Sequence, residues 1–401
     1  MAQEKKYIPE LRFPEFKNDG GWILETIGTI ADTFSGGTPT VGNKEYYGGD
    51  IPFIRSGEIS NDKTELFITE SGLSNSSAKM VDKGTILYAM YGATSGEVAI
   101  SKISGAINQA ILAIIPKSQK YSSRYIYHYL KHNKQYILGK YLQGGQGNLS
   151  ANIINNLPIY LPCDSEGKVS IKEQQKIADC LSSLDEYINV AKQKVDQLKE
   201  HKKGLMQRLF PAKGKTTPEF RFPKFYDNRE WAIRPLSDIL YYEQPTQYIV
   251  EDTGYKKKGI PVLTANKGFI LGYTSETSNI YNNLPVIIFD DFTTDKKFVE
   301  FPFKVKSSAI KLLKLKDESK DHLRFVFESM NNIVFEEKEH KRYYISTYQN
   351  LEIPIPSSLE EQNKIAETIT QLDNLLKAFE HKIVILNDYK HGLMQRIFPK
   401  L

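Results

Sequence analysis

The stretch IKEQQKIADCLSSLDEYI occupies residues 171–188, and a close copy of it, LEEQNKIAETITQLDNLL, occupies residues 359–376. Both copies continue without proline or glycine until they end in nearly the same letters, GLMQRLFP at 204–211 and GLMQRIFP at 392–399. Apolar residues recur in both copies at steps of four and three, the spacing that places them along one face of a helix. The repeated stretch therefore predicts two long helices that bury the same face.

The apolar series keeps the same phase in both copies. Its members are Ile177, Leu181, Leu184, Ile188, Ala191, Val195, Leu198, Leu205 and Leu209, and then Ile365, Ile369, Leu372, Leu376, Phe379, Ile383, Leu386, Leu393 and Ile397. Lys202 and Lys390 fill the one position that each series skips. Heptads of this kind are typical of coiled coils. Two helices of about 39 residues, each ~58 Å long, are predicted to pack against each other rather than in separate cores.

Other signals extend the repeat to the whole chain. IPELRFPEF (8–16) returns as TPEFRFPKF (217–225), and each segment is followed by one of the two tryptophans, Trp22 and Trp231. Ser170 with Glu173, and Ser358 with Glu361, form the capping boxes expected at helix starts, while Pro211 and Pro399 follow the helix ends. Each copy therefore runs from PE(L/F)RFP to GLMQR(L/I)FP.

The middles of the two copies differ in sequence, although both have the composition of strands separated by glycine-rich turns, as in DIPFIRSGEI (50–59) and GIPVLTANKGFILGYT (259–274). We predict an α+β fold in which two β-rich mixed domains are joined by two long antiparallel coiled-coil helices as a pseudo-two-fold tandem repeat. The predicted segments are a first domain (1–170), a first spacer helix (171–211), a second domain (212–358) and a second spacer helix (359–401).

Composition and motifs narrow the classes of function. The chain has two cysteines and no CxxC, so neither a zinc site nor a disulfide framework is expected. An apolar leader and long apolar runs are absent, which predicts a cytoplasmic protein with no membrane association. Neither GxxxxGK[ST] nor a GxGxxG that opens a βαβ unit occurs, and we expect no catalytic residue and no metal. His128 and His132, four residues apart on a predicted helix, are interpreted as surface histidines.

A net charge of +5 is compatible with a polyanionic partner. Residues 296–316 hold seven lysines and one glutamate. Lys304 and Lys306 alternate with apolar residues, so on a strand both ammonium groups would face one side and could neutralise phosphates. An exposed edge strand kept soluble by lysines explains the same pattern equally well.

Four loops combine glycine with hydrogen-bonding side chains, which suits close approach to the edges of bases. They are SGGTPT (35–40), IRSGE (54–58), YGATSGE (91–97) and GGQGN (144–148). Each loop alone is more often a simple turn. Together they supply the first set of candidate DNA-binding residues, Ser35, Gly36, Gly37, Thr38, Arg55, Tyr91, Gly92, Thr94, Ser95, Gln143, Gln146 and Asn148.

The whole chain resembles the specificity (S) subunits of type I restriction-modification enzymes. The resemblance rests on the tandem plan, the twin EQ-x-K-I-A…L-D helices that end in GLMQR(L/I)FP, and SGGTPT…YYGGDIPFI…YGATSGEVAI…INQA in the first half. It implies that the two β-rich domains are target-recognition domains, each reading one half of a split site in double-stranded DNA, and that the helices set the gap between the half-sites.

The resemblance also implies partners. Two modification subunits would methylate adenine with S-adenosylmethionine, and two ATP-dependent restriction subunits would join them. This chain is therefore expected to bind no cofactor. S-adenosylmethionine, ATP and Mg²⁺ would act in the partner subunits. Matching positions in the first domain include Asn108, Gln109 and Ala110. The second domain departs from the pattern, because EQPTQYIV (243–250) replaces SGGTPT and FDDFTT replaces the YGATSG region. Its candidates are Gln244, Thr246, Lys267, Thr293 and Thr294, together with Lys304 and Lys306.

The helices supply candidates for the spacer seam and for docking of a partner, which are Leu184, Ile188, Met206, Arg208, Leu372, Leu376, Met394 and Arg396. The four of these at the helix ends, Met206, Arg208, Met394 and Arg396, are left for the domain junction or a docked partner. The near-identical helix ends also suggest that the C-terminal segment meets the N-terminal segment. An alternative of another class is an adaptor in which a coiled coil joins two protein- or sugar-binding modules. That alternative predicts no affinity for DNA.

Overall fold

A computed structural model describes residues 7–142, 148–227, 229–265, 268–333, 335 and 342–399. Backbone contacts divide the chain into two compact units, the first comprising Met1–Lys192 with His381–Leu401 and the second comprising Gln193–Glu380. Each unit contains one β-rich domain with part of each long helix. The division crosses the four segments expected from the sequence, because the beginning and the end of each long helix belong to different hydrophobic cores.

The first unit contains the elements β1 (Ile23–Thr26), α1 (Ile27–Ile30), β2 (Ala31–Ser35), β3 (Tyr47–Ile54), β4 (Leu66–Ile68), α2 (Glu70–Ser74), β5 (Lys79–Val81), β6 (Ile86–Ala89), β7 (Val98–Ile100), β8 (Gly105–Ile107), β9 (Ile111–Pro116), α3 (Ser123–His132), α4 (Lys134–Tyr141), α5 (Ala151–Asn155) and β10 (Pro158–Leu161), and the start of α6 (Ile171–Leu209). One antiparallel sheet has the strand order β2-β9-β6-β7. A second has the order β4-β3-β8-β5, in which β3 and β8 run parallel. The continuous apolar sequence of β6 explains why all four of its residues are buried.

The second unit contains the end of α6 and then β11 (Ala232–Pro235), α7 (Leu236–Ile239), β12 (Leu240–Glu243), β13 (Ile260–Leu263), β14 (Ile270–Thr274), β15 (Val286–Asp290), β16 (Lys296–Val299), β17 (Lys304–Val305), β18 (Ile310–Leu315), α8 (Leu323–Asn331), β19 (Glu352–Ile355) and α9 (Leu359–Ile397) as far as Glu380. Its main sheet has the order β12-β18-β15-β16, and its smaller sheet has the order β14-β13-β17. These orders repeat those of the first unit, and the predicted tandem fold is confirmed. Within the described ranges no strand takes the place of β5, so the smaller sheet of the second unit has three strands and not four.

The two long helices have 39 residues each. Ser170 and Ser358 cap them, since their Oγ atoms accept the backbone N–H of Glu173 (3.2 Å) and of Glu361 (3.3 Å). The other half of the expected capping box does not form. Both glutamate side chains turn away from the serine and bind arginines of the β-rich domains.

Within each unit the helix segments run antiparallel. In the second unit Lys199 pairs with Glu380 at 2.8 Å and Lys202 pairs with Asp373 at 2.5 Å, so partner numbers fall along α9 as they rise along α6. In the first unit Lys390 pairs with Asp185 at 2.5 Å. The lysines that interrupt the heptads therefore bind the aspartates of the repeated L-D sequence and fix the register of the helices.

No described helix is both long enough and apolar enough to cross a membrane. The described ranges also hold no cluster of three or more His, Cys, Asp or Glu residues placed to ligate a metal ion.

Candidate nucleic-acid interface

Four loops of the first unit meet beyond the ends of β2, β3, β6 and β8. Three backbone hydrogen bonds join them: Gly37 N to Ile107 O (3.2 Å), Asn108 N to Ile54 O (3.3 Å) and Met90 N to Ala110 O (2.8 Å). The side chains of Thr38 and Gln109 hydrogen-bond to each other and are both exposed. The structure thus brings together loops that lie far apart in the sequence.

Gly36 and Gly37 lie under this loop cluster. Both are buried, and a Cβ atom on Gly36 would come within 1.8 Å of the carbonyl oxygen of Ile107. The missing side chains therefore serve packing within the protein, and the expectation that these glycines approach DNA is corrected. Ser35, which is half-buried, and Thr38 and Thr40, which are exposed, are the residues of this loop that reach the surface.

Arg55 follows β3, but its guanidinium group is engaged by two carboxylates. Nε lies 2.9 Å from Glu58 and Nη2 lies 2.6 Å from Glu65. Partial burial acts to raise the pKa of Glu58, yet hydrogen bonds from Arg55 and from the backbone N–H of Glu65 lower it to about 2. The two carboxylates offset the charge of Arg55, whose side chain is still 40% exposed.

The loop after β6 presents a mixture of exposed and buried positions. Gly92 is exposed with φ +73°, which favours glycine, and Tyr91 and Thr94 are half-buried. Ser95 is buried, and its hydroxyl donates to the carbonyl of Met90 at 3.0 Å, so Ser95 shapes the loop and does not face a ligand.

Asn148 is exposed and lies next to Leu149, whose N–H donates to Met90 O at 3.0 Å. Asn148 therefore joins the same loop cluster. Gln143 and Gln146 fall outside the described residues.

The second unit repeats this backbone arrangement with different side chains. Asp291 N donates to Ala309 O (2.9 Å) and Tyr343 N donates to Asp291 O (2.8 Å). These two bonds match those that Met90 makes with Ala110 and Leu149. One backbone scaffold therefore carries two different sets of loop residues.

The second set of candidates lies on these loops. Gln244 and Thr246 follow β12 and are exposed, whereas Thr293 and Thr294 follow β15 and are half-buried. The turn after β15 is shaped by Asp290, whose Oδ1 accepts the N–H groups of Phe292 and Thr293, each at 3.0 Å. Lys267 lies outside the described residues.

The predicted row of ammonium groups at Lys304 and Lys306 does not form. Lys304 is only 1% exposed, and its Nζ lies 2.5 Å from Glu276 and 3.2 Å from Ser278 O. β17 is a two-residue strand paired with β13, so Lys304 faces the interior while Lys306 is exposed. Lys306 remains the one of these two candidates that can meet a phosphate.

A buried ion pair joins each β-rich domain to the start of a long helix, and the sequence interpretation missed it. Arg12 binds Glu173 with Nε at 2.8 Å and Nη2 at 2.6 Å. Arg221 binds Glu361 with the same two nitrogens at 2.7 and 2.8 Å, and the two side chains are 8% and 1% exposed. The sequence does contain a signal for this ion pair, because RFP, which includes the arginine, and EQ, which includes the glutamate, both recur in the two copies.

The glutamine of each EQ pair makes a second joint. Gln362 Oε1 accepts the N–H of His322 at 2.8 Å and its Nε2 donates to Lys320 O at 3.0 Å, beside the start of α8. Gln174 makes the matching contacts with Ser122 and Lys120, each at 3.0 Å. The repeated EQ sequence therefore attaches each domain to its helix.

The helix ends also pack into the domains. Met394 is 6% exposed within the first unit's core, and Met206 is half-buried against the second unit's core, so both methionines lie at the junction of helix and domain, one of the two roles expected for them. Arg396 pairs with Glu10 at 2.8 Å and Arg208 pairs with Glu219 at 3.0 Å, both at the surface.

The C-terminal segment meets the N-terminal segment through the hydrogen bond from Leu11 N to Arg396 O, 2.8 Å long. The second unit has the same contact between Phe220 N and Arg208 O, also at 2.8 Å. The expected meeting of the two segments is confirmed within the first unit.

The predicted seam residues fall into two classes. Ile188 and Leu376 are buried, at 4% and 8% exposure. Leu184 and Leu372 are half-buried. All four contribute apolar surface to the helix faces that turn inward.

His128 was interpreted as a surface residue, and the structure shows it buried instead. Its Nε2 lies 3.0 Å from Ser182 Oγ, and its Nδ1 lies 4.0 Å from Asp185, which also binds Lys390. Burial first, and the charge of Lys390 second, lower the pKa of His128 to about 3. His128 is therefore neutral near pH 7.

This lowered pKa predicts a pH dependence of stability. Unfolded histidine titrates near pH ~6.5, so between pH ~6.5 and the folded value the unfolded chain binds more protons and stability falls as the pH falls. His128→Gln is expected to remove up to about 1.4 kcal/mol per pH unit from this slope, measured by urea unfolding from pH 7 to pH 4. His381→Gln, at an exposed position, serves as the control. Equal slopes in all three proteins would refute the assignment.

Comparison with known proteins gives consistent results. The family model for the type I restriction modification DNA specificity domain matches twice, at residues 20–200 and 228–386. A type I restriction enzyme specificity subunit of Escherichia coli is 47% identical over 148 residues, which are 36% of this chain and 37% of that protein. The MjaIX specificity subunit of Methanocaldococcus jannaschii is 28% identical over 329 residues, 78% of this chain and 73% of that protein.

Solved structures share the fold. A crystal structure of a type I restriction-modification S subunit from M. genitalium matches with a TM-score of 0.69 and 15% identity, covering 98% of this chain and 99% of that one. A structure described as showing the assembly and conformational transition of the type I system matches with a TM-score of 0.52 and 14% identity, covering 94% and 97%.

Proposed function

Because this chain belongs to the type I restriction modification DNA specificity family, we propose that it reads a bipartite DNA site, with each β-rich domain addressing one half. The long helices set the gap between the half-sites. Specificity subunits are in general not catalytic, and methylation and cleavage would be carried out by partner subunits. S-adenosylmethionine, ATP and Mg²⁺ would act in those partners, and no residue described above is assigned to them.

The observation that carries the proposal is the repeated loop cluster. The bonds of Met90 and of Asp291 hold the loops of the two domains in the same backbone arrangement. The exposed residues on that scaffold differ, with Thr38, Gln109 and Asn148 in one domain and Gln244 and Thr246 in the other. Hydroxyl and amide side chains supply the donors and acceptors that major-groove edges require. Two different sets on one scaffold suit two different half-sites.

The surface of the helices supports docking of the modification subunit. In the first unit α6 and α9 expose five large apolar side chains, at 47% to 59% of their area: Tyr187, Val190, Val384, Ile385 and Tyr389. Exposed apolar side chains can contribute to a surface that binds another protein. We propose that these exposed side chains contact the modification subunit.

The helix lengths can be used to test the function. Four residues inserted into each helix, between Asp185 and Lys202 and between Asp373 and Lys390, would lengthen both by ~6 Å and keep both register-fixing ion pairs. The recognised gap is expected to grow by one or more base pairs, since DNA rises ~3.4 Å per base pair. The measurement is sequencing of methylated adenines in cells that express the variant with its modification subunit.

Four residues inserted instead into the exposed turn at 165–167 should leave the gap unchanged. A gap that stays fixed after the helix insertions would reject the spacer role of the helices. A protein with no methylated split site and no affinity for DNA would instead support the adaptor alternative.

A further inference from the structure

The second unit places two charged residues where the first unit has apolar ones. Asp291 has the backbone hydrogen bonds of Met90. Lys311 has the strand position of Leu112, because Ile310 pairs with Asp290 as Ile111 pairs with Ala89. Met90 and Leu112 are buried in the apolar core of the first unit. The fold itself therefore accepts apolar side chains at both positions.

Lys311 and Asp291 form an ion pair inside the second unit. Lys311 Nζ lies 3.4 Å from Asp291 Oδ2, and both side chains are 1% exposed. The other oxygen of Asp291 accepts the N–H of Tyr344 at 2.9 Å. Burying two charges is costly, and replacing such a pair with apolar residues is often neutral or stabilising. Stability alone does not explain why this pair is present.

The ion pair also contacts a residue at the surface. Lys311 Nζ donates to Gln244 Oε1 at 3.1 Å, and Gln244 is exposed at the end of β12 within the loop cluster. An ammonium group has only donors, so the amide oxygen of Gln244 must face Lys311 and its NH₂ group must point away. The buried charge therefore determines which way this amide is turned.

We propose that Lys311, held by Asp291, is a positioning residue that orients Gln244 for reading one base of the second half-site. This proposal rests on the proposed DNA-reading function. With its oxygen held by Lys311, Gln244 offers NH₂ donors, which suit acceptors on the major-groove edge such as purine N7, guanine O6 or thymine O4.

The test replaces Asp291 and Lys311 with the residues that occupy the same positions in the first unit. The full chain carrying Asp291→Met with Lys311→Leu is expressed with its modification subunit, and methylated adenines are sequenced across the host genome. We expect unfolding at the same temperature as the wild type or higher, at least a tenfold loss of selectivity at one base position of the second half-site, and no change in the first half-site. Gln244→Ala, at an exposed position, is expected to relax the same base position.

The controls separate this proposal from its premise. Lys314→Met removes another buried lysine of β18, one that donates to the carbonyl oxygens of Asn283 and Pro285, and should leave the selectivity unchanged. Unchanged selectivity in the double variant would overturn the positioning role, and so would its failure to fold. Relaxation at different positions in the double variant and in Gln244→Ala would also overturn it. A wild-type protein that directs no split methylation would refute the proposed function itself.

Discussion

Replacing Arg221 with methionine is expected to lower the free energy of unfolding by about 3–5 kcal/mol, because it leaves Glu361 as a buried charge without its partner. Arg221 binds both oxygens of Glu361 within 2.8 Å, and Glu361 is 1% exposed. The ion pair joins the second domain to the start of α9, so the loss of stability should appear first at the start of α9. Urea unfolding, with hydrogen exchange of residues 359–376, measures both the size and the place of the effect.

Two further variants make this prediction specific. Arg221→Met combined with Glu361→Leu removes both charges and should recover most of the lost stability. Arg208→Met breaks an ion pair at the surface, in which Arg208 and Glu219 are 55% and 71% exposed, and should cost at most about 1 kcal/mol. Equal losses for Arg221→Met and Arg208→Met would show that the buried pair does not hold the joint together.

Gly36→Ala is expected to disrupt the first loop cluster and to weaken recognition of the first half-site only. An added Cβ would lie 1.8 Å from Ile107 O, and Ile107 cannot retreat easily because β8 is held between β3 and β5. The cost should reach or exceed the ~3 kcal/mol at the upper end of the usual range for overpacking. Thermal unfolding gives the loss of stability, and methylated-site sequencing gives the change in selectivity.

Gly42→Ala is the matched control, since a Cβ on Gly42 would meet no atom within 4 Å. It should preserve the stability and both half-sites. A Gly36→Ala protein with wild-type stability and selectivity would show that the loop can shift without consequence. Loss of the second half-site in that variant would contradict the separate roles of the two domains.

The features that sequence predicted well are those that local pattern determines. The heptads predicted both long helices, because the burial of a periodic face dominates the structure of such segments. Ser170 and Ser358 also marked the helix starts correctly, since a cap needs only a neighbouring N–H group.

Positions that depend on distant partners were not predictable in this way. Lys304 alternates with apolar residues and looked exposed, but Glu276 from another loop lets it be buried. His128 was interpreted as a surface residue from its sequence, but Ser182 and Asp185 of α6 lie against it. Glycines at 36 and 37 were assigned to ligand approach because the sequence does not reveal that Ile107 of β8 lies against Gly36 and that Ser77 lies against Gly37. In each case the deciding contact comes from a residue far away in the chain.

The backbone hydrogen bond between a helix end and an RFP-containing segment occurs once in each unit, and the two cases differ in how the chain connects the two partners. Arg208 and Phe220 make it across a short link, whereas Arg396 and Leu11 make it between segments at opposite ends of the sequence. Its geometry is therefore independent of the linear order of the polypeptide. A gene in which the second half precedes the first would encode the same contacts. The order of the two halves can therefore change in evolution while this contact is retained.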